Sequence, residues 1–218
     1  MATFGTQVED LTGSLSDNTA LTQWLTDGAR MVLDNLPLDK LERVTEELDF
    51  TNSTTSKGKR IHQVLRKDAA NSNRFMPCRE LSPAFIGKVL DTDYMEAATT
   101  SDPAYILHNH LIETFPASAA SLDSRVIYID TSITVAYDAS PGSIEDLPQE
   151  AESVIVLYAA RNGLERLVSN ANVDEDPELV ASLIGQYRLV DAQYKEALQV
   201  LGIDKLYVEK DLPDRRWA

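Results

Sequence analysis

The chain has 218 residues, with 20 Lys and Arg against 35 Asp and Glu, and a formal charge of −15. A hydrophobic fraction of 43% excludes bulk disorder, and Cys78 as the only cysteine excludes a disulfide scaffold. Charge this negative argues against a protein that grips nucleic acid or an anionic membrane, so composition reads as a soluble, intracellular, acidic globular protein.

The first ten residues carry no basic n-region and no apolar h-region, so no signal peptide is expected. The longest clean apolar run, Val154 to Ala160, falls far short of the roughly 20 residues that span a bilayer. The glycines are scattered, and no two are spaced for a dinucleotide fingerprint or a phosphate loop.

Residues 1–18 are polar and read as a loosely attached arm. From Thr19, the positions Leu21, Trp24, Leu25, Val32 and Leu36 fall at helical spacing. Asn18 or Thr19 is placed to cap that helix and Pro37 to end it. Leu38, Leu41, Val44 and Leu48 share one face and predict a second, short helix. Asn52 to Gly58 is a loop by composition. Ile61, Gln63 and Leu65 alternate with His62, Val64 and Arg66 and predict a strand. Phe75 to Leu81 is extended around Pro77, which assigns it to a sheet edge. Ser82 and Pro83 open a short helical turn.

Tyr105–Leu107 and Leu111–Phe115 flank His108-Asn109-His110 and predict a hairpin. Val126–Ile129 and Ile133–Tyr137 are two more predicted strands. Asp146-Leu147-Pro148-Gln149 resembles a capping box, and a wide apolar stripe from Val154 to Val168 predicts a well-buried helix. A polar turn is expected over Asn170–Glu175. Asp176 and Pro177 then open a last helix, which Gly202 closes. The expected class is α+β. Helices from 19–59 and 146–202 form a bundle core, 60–138 is a β-rich insertion, and 203–218 is a charged tail.

Chemistry-bearing residues are sparse. At period-two spacing, His108 and His110 would point to one face and could ligate a metal, with Glu113 as the only evident third ligand. Asn109 fits a plain polar turn equally. Asp174, Asp176 and Glu178 mimic the start of a calcium loop, but Leu179 and Gly185 stand where that loop needs Gly and Glu. Acids favoured at a helix N-terminus explain them. Cys78 could act as a nucleophile with His62, His108 or His110 as base, yet no spacing supports it and a structural thiol is the plainer reading. No catalytic, cofactor or metal residue is therefore assigned.

The charge is uneven. Residues 57–79 hold Lys57, Lys59, Arg60, Arg66, Lys67, Arg74 and Arg79 against Asp68 alone, whereas 81–150 are strongly acidic. Both are either solvated faces or the two halves of a self-complementary contact. On the second reading Lys57, Lys59, Arg60, Arg66, Lys67 and Arg74 meet the acidic part of a neighbouring subunit, head to tail. Arg215, Arg216 and Trp217 are residue types that anchor interfaces, or form a plain exposed terminus.

Four stretches resemble virion structural proteins of tailed bacteriophages. They are Thr19 to Arg30, Cys78 to Pro83 with Gly87-Lys88-Val89, Ala97 to Tyr105, and Leu147 to Glu152 leading into Val156–Ala160. Within that group the predicted organisation resembles head-to-tail adaptor (connector) proteins, although the large β middle departs from their compact all-helical form. The resemblance implies a non-enzymatic subunit, without cofactor, of a homo-oligomeric, dodecameric ring. The ring lies between the portal protein and the tail or neck proteins, in a virion assembled in the host cytoplasm. It implies that Arg215, Arg216 and Trp217 dock on the portal, that double-stranded DNA passes through without being specifically bound, and that no membrane is involved. An acidic lumen would repel phosphates and let the duplex slide. Other expectations are a tail-tube terminator or other small virion protein, and a small metal- or carboxylate-dependent hydrolase.

Overall fold

The computed structural model describes residues 2–68, 71–91, 93–94, 97–117, 123–144 and 147–203, and its class is α+β. In chain order the elements begin with α1 (Phe4–Thr12), α2 (Asn18–Asn35) and α3 (Leu38–Leu41), the last followed by a 3-10 turn at Glu42–Val44. Next come β1 (Glu46–Phe50), β2 (Ser53–Thr55), β3 (Lys59–Asp68), β4 (Asn71–Pro77) and β5 (Arg79–Leu81). A 3-10 turn at Pro83–Phe85 leads to α4 (Ile86–Leu90), then β6 (Ala104–His108), β7 (Leu111–Phe115) and β8 (Ser124–Asp130). Two long helices follow, α5 (Gln149–Val173) and α6 (Pro177–Leu201). The elements fall into a helical unit, made of the described residues up to Val44 and from Ile133 to Ile203, and a β unit, Thr45–Ser132. The β-rich middle thus starts earlier and stops sooner than the expected 60–138.

In the helical unit α5 packs against α1, α2 and α6. Residues 1–18 are not a loose arm. Thr3 caps α1 by accepting from the Thr6 amide at 3.2 Å, and Phe4 and Val8 are fully buried. The first amides of a helix lack intrahelical partners. Here Phe4 and Gly5 donate to the Ala139 and Tyr137 carbonyls at 2.9 and 2.7 Å. Ile133–Tyr137, predicted as a strand, joins no sheet, and Tyr137 lies in a turn. Its amides at Val135 and Tyr137 donate to the hydroxyls of Thr26 and Thr22 on α2, at 3.1 and 3.3 Å.

The cap of α2 is Asp17, one residue before the expected Asn18, and it accepts from the Ala20 amide at 3.0 Å. Pro148 precedes α5 without a side-chain cap, and Asp146 lies outside the described residues. The helix runs on to Val173, through the start of the expected turn. The ends of α6 agree with expectation: Asp176 accepts from the Leu179 amide at 3.0 Å, and Gly202 takes the left-handed conformation at φ +75°.

Gly28 on α2 sets a close helix contact. A Cβ there would lie 2.9 Å from the Tyr158 ring on α5. Gly28→Val is expected to destabilise the helical unit by about 1–3 kcal/mol through overpacking, as read by urea unfolding. Paired with Tyr158→Ala, its cost should fall well below the sum of the two single changes. Strict additivity would show that the ring is not the obstacle.

The β unit has two four-stranded sheets, ordered β1-β8-β3-β4 and β2-β7-β6-β5, antiparallel except for the parallel β5–β6 pair. The second sheet packs Ile106 and Phe115 with Val89 of α4 in one cluster, and the two sheets share another. Phe50, Val64, Val126 and Tyr128 come from the first sheet and Ile112 from the second, with Leu48, Ile61, Cys78 and Tyr105 packed around them. Leu48 therefore belongs to a strand, not to the predicted helix, and β2 occupies part of the predicted loop. Pro77 ends the edge strand β4, where a missing amide is tolerated. The other edge of that sheet, β1, carries Glu46, Glu47 and Asp49, charges that discourage a further strand from adding. His62 is left out of the β3–β8 pairing at a register shift between Ile61 and Gln63.

Candidate functional site

The least expected feature of the β unit is a buried arginine. Arg66 on β3 is only 4% exposed. Its Nη1 donates to Thr114 Oγ1 on β7 and to Ser124 Oγ on β8, both at 3.0 Å. The two hydroxyls lie 2.8 Å apart, and Ser124 Oγ donates to the Thr51 carbonyl at 2.9 Å. Among the described residues no carboxylate forms an ion pair with Arg66. Burial pulls its pKa down, opposed by nearby Cys78 and Asp123. The cluster ties β3, β7, β8 and the β1–β2 link together within the β unit.

This placement removes Arg66 from the expected subunit interface, since an interior side chain cannot meet a neighbour. The other five basic candidates differ among themselves. Lys57 and Arg74 are exposed. Arg60 is half-buried. Lys59 places its ammonium 4.4 Å from the centre of the Tyr128 ring. Lys67 pairs with Asp123 at 3.6 Å. Nearby, Arg125 reaches Asp49 at 2.7 Å, bonds Glu47, and lies 4.7 Å over the Phe75 ring. Its hydrogen bond holds the Asp49 carboxyl below the usual carboxylate range. Much of the basic charge at 57–79 is thus engaged with acids or rings of its own unit, and Lys57 and Arg74 remain as the exposed pair from the original six. Arg215, Arg216 and Trp217 lie outside the described residues.

The histidine pair does not assemble. His108 ends β6, with Nδ1 4.0 Å from Glu113 Oε2. Asn109 and His110 form the hairpin turn at φ +46° and +58°, so the period-two geometry that would align the two rings is absent. Among the described residues no group of three or more His, Cys, Asp or Glu could hold a metal ion. Asp176 is occupied as the cap of α6, and Glu178 lies in its first turn, as the helix-terminus reading of those acids expects.

Burial pushes the Cys78 thiol up to about 12, against the pull of Arg66. A nucleophilic cysteine needs the thiolate. At pH 8 the folded chain should react with iodoacetamide on the order of 1,000-fold more slowly than the urea-unfolded chain. Equal rates in the two states would show the thiol to be accessible and ionised.

The surface of α5 and α6 offers a more open feature. A groove of about 430 Å³ is lined by Ala171, Pro177, Val180, Ala181 and Ile184, with Glu175 and Asp176 at its rim. A second hollow of about 420 Å³ shares Ile184 and adds Val168, Tyr187, Glu165 and Arg188. The Tyr187 hydroxyl donates to Glu165 at 3.0 Å. Ile184 and Tyr187 share the three-and-four spacing of the apolar residues of α6. They sit at its margin, because Leu183, Val190, Tyr194 and Leu198 take the buried stripe.

No protein-family model matches the chain, and no curated protein matches it. Among the described residues, no helix is long and apolar enough to cross a membrane.

Proposed function

We propose that the chain is a structural component of the tailed-phage neck, a head-to-tail adaptor that forms a ring between portal and tail and extends the DNA channel. The supporting observation is architectural. Residues 2–44 and 133–203 build a helical unit around two 25-residue helices, and a separate β unit is inserted between them. Among the virion structural proteins that Thr19–Arg30 and Leu147–Glu152 with Val156–Ala160 resemble in sequence, this organisation is similar to that of the head-to-tail adaptors. Lys57, just before β3, and Arg74, beside the opposite end of that strand, are exposed in a chain of charge −15 and supply two separate cationic points for the acidic surface of a neighbour. Repeated head to tail, such a contact closes a ring, and the remaining acidity keeps DNA from sticking to the lumen.

Sedimentation of the purified chain, alone and with portal protein, tests the reading. The expected result is a closed oligomer, dodecameric with portal, which Lys57→Glu with Arg74→Glu disperses. A strict monomer under both conditions overturns it. Density of an intact neck in which the ring does not touch the portal would instead favour a tail-tube terminator.

A further inference from the structure

We infer that the groove between α5 and α6 is the docking site for the C-terminal segment of the same chain, Pro213–Ala218, with Trp217 in the apolar hollow and Arg215 and Arg216 on its acidic rim. The floor is apolar, formed by Ala171, Val180, Ala181 and Ile184, and continues to Val168 and Tyr187. Ile184 is 36% exposed, Leu179 47% and Val173 79%, a concentration of apolar surface around the α5–α6 turn. The acids there, Glu165, Asp174, Glu175, Asp176 and Glu178, outnumber the bases. Arg166 is taken up by Asp17 at 2.8 Å and Arg161 by Asp191 and Glu165 at 3.4 and 3.9 Å, which leaves Arg188 at the far rim. An occupant that fits is a bulky apolar side chain beside paired cations.

Within this sequence Arg215-Arg216-Trp217 has that composition. The reach is sufficient. Ile184 lies 18 residues before Gly202, about 27 Å along the helix at 1.5 Å per residue. The 12 residues from Asp204 to Arg215 extend to about 40 Å. Tethering to the end of α6 also gives the segment a high effective concentration at the groove, which favours its own chain over a neighbour's at low protein concentration. A segment held this way is withheld from any partner until displaced, so portal docking by the same residues would begin with its release. The inference does not depend on the ring: it concerns the isolated chain, and the ring can form or fail with the groove filled or empty.

Trp24→Phe leaves Trp217 as the only tryptophan, and its fluorescence reports the hollow. The expected emission is blue-shifted, unchanged on hundredfold dilution, and returned to the solvent-exposed position by Arg215→Glu with Arg216→Glu. Ile184→Glu should return it as well, with helical content by circular dichroism retained. Solvent-exposed emission in the Trp24→Phe chain overturns the inference. A blue shift that fades on dilution assigns the segment to a second copy and also overturns it. A shift that survives Ile184→Glu in a chain of undiminished helicity places Trp217 elsewhere and does the same. A urea midpoint unchanged by the two arginine substitutions separates their effect on the signal from folding.

Discussion

Thr114→Val combined with Ser124→Ala is expected to destabilise the β unit by about 3–5 kcal/mol, whereas Arg66→Met costs no more than about 1 kcal/mol. The asymmetry follows from which group is left without a partner. Arg66 is buried and held by two hydroxyls. Deleting those acceptors strands a desolvated cation, and the protein then carries its full desolvation cost. Deleting the cation leaves the hydroxyls with each other and with the Thr51 and Asn52 carbonyls, at 2.9 and 3.3 Å. Native-state hydrogen exchange of the β3 and β8 amides reads the difference. The triple variant should regain most of what the double variant loses. Equal losses in the double variant and Arg66→Met would mean that packing, not charge, governs the site.

Ile155→Ala should lower the stability of the helical unit by about 2–5 kcal/mol, while Leu189→Ala stays within about 0.5 kcal/mol. Both are large aliphatic residues on long helices. Ile155 on α5 is fully buried, and α5 is packed by three other helices, so truncation leaves a cavity that its surroundings cannot close. Leu189 on α6 is 61% exposed and leaves nothing behind. Urea midpoints of the two variants measure the contrast. A large loss at Leu189 in a self-associating chain would place that side chain in a subunit contact.

The parts of the fold that could be read from sequence are those fixed by local chemistry. The helix α6 was visible from both ends, because Asp176-Pro177 and Gly202 are capping devices with a single mechanical purpose. The β6–β7 hairpin was visible because its polar turn separates two apolar runs. What was missed depends on partners distant in the chain. Leu41, Val44 and Leu48 have helical spacing, yet Glu46, Leu48 and Phe50 also alternate, and pairing with β8, some 80 residues on, decided for the strand. Residues 133–137 have a strand's pattern, but the groups that satisfy them are threonine hydroxyls on a helix. The short helix α1 was obscured by its polar composition, although Phe4 and Val8 stand at helical spacing.

The same division applies to the site. Lys57 and Arg74 could be nominated by charge alone. Nothing local distinguishes Arg66 from them, since its burial is created by Thr114 and Ser124, 48 and 58 residues away. The pairing of Arg125 was hidden for the same reason: its partners Glu47 and Asp49 lie on a neighbouring strand. The apolar groove was hidden because a helical stripe in the sequence does not tell its centre from its margin.

The β unit begins and ends beside itself. Its first strand pairs antiparallel with its last, Glu46 opposite Tyr128. Once β1 and β8 are zipped, the stretch from Thr45 to Ser132 counts for the rest of the chain as a loop of a few residues. The meeting of α2 with α5, otherwise a distant encounter, becomes nearly local. A module that closes on its own strands in this way leaves the helices on either side only a short crossing to make.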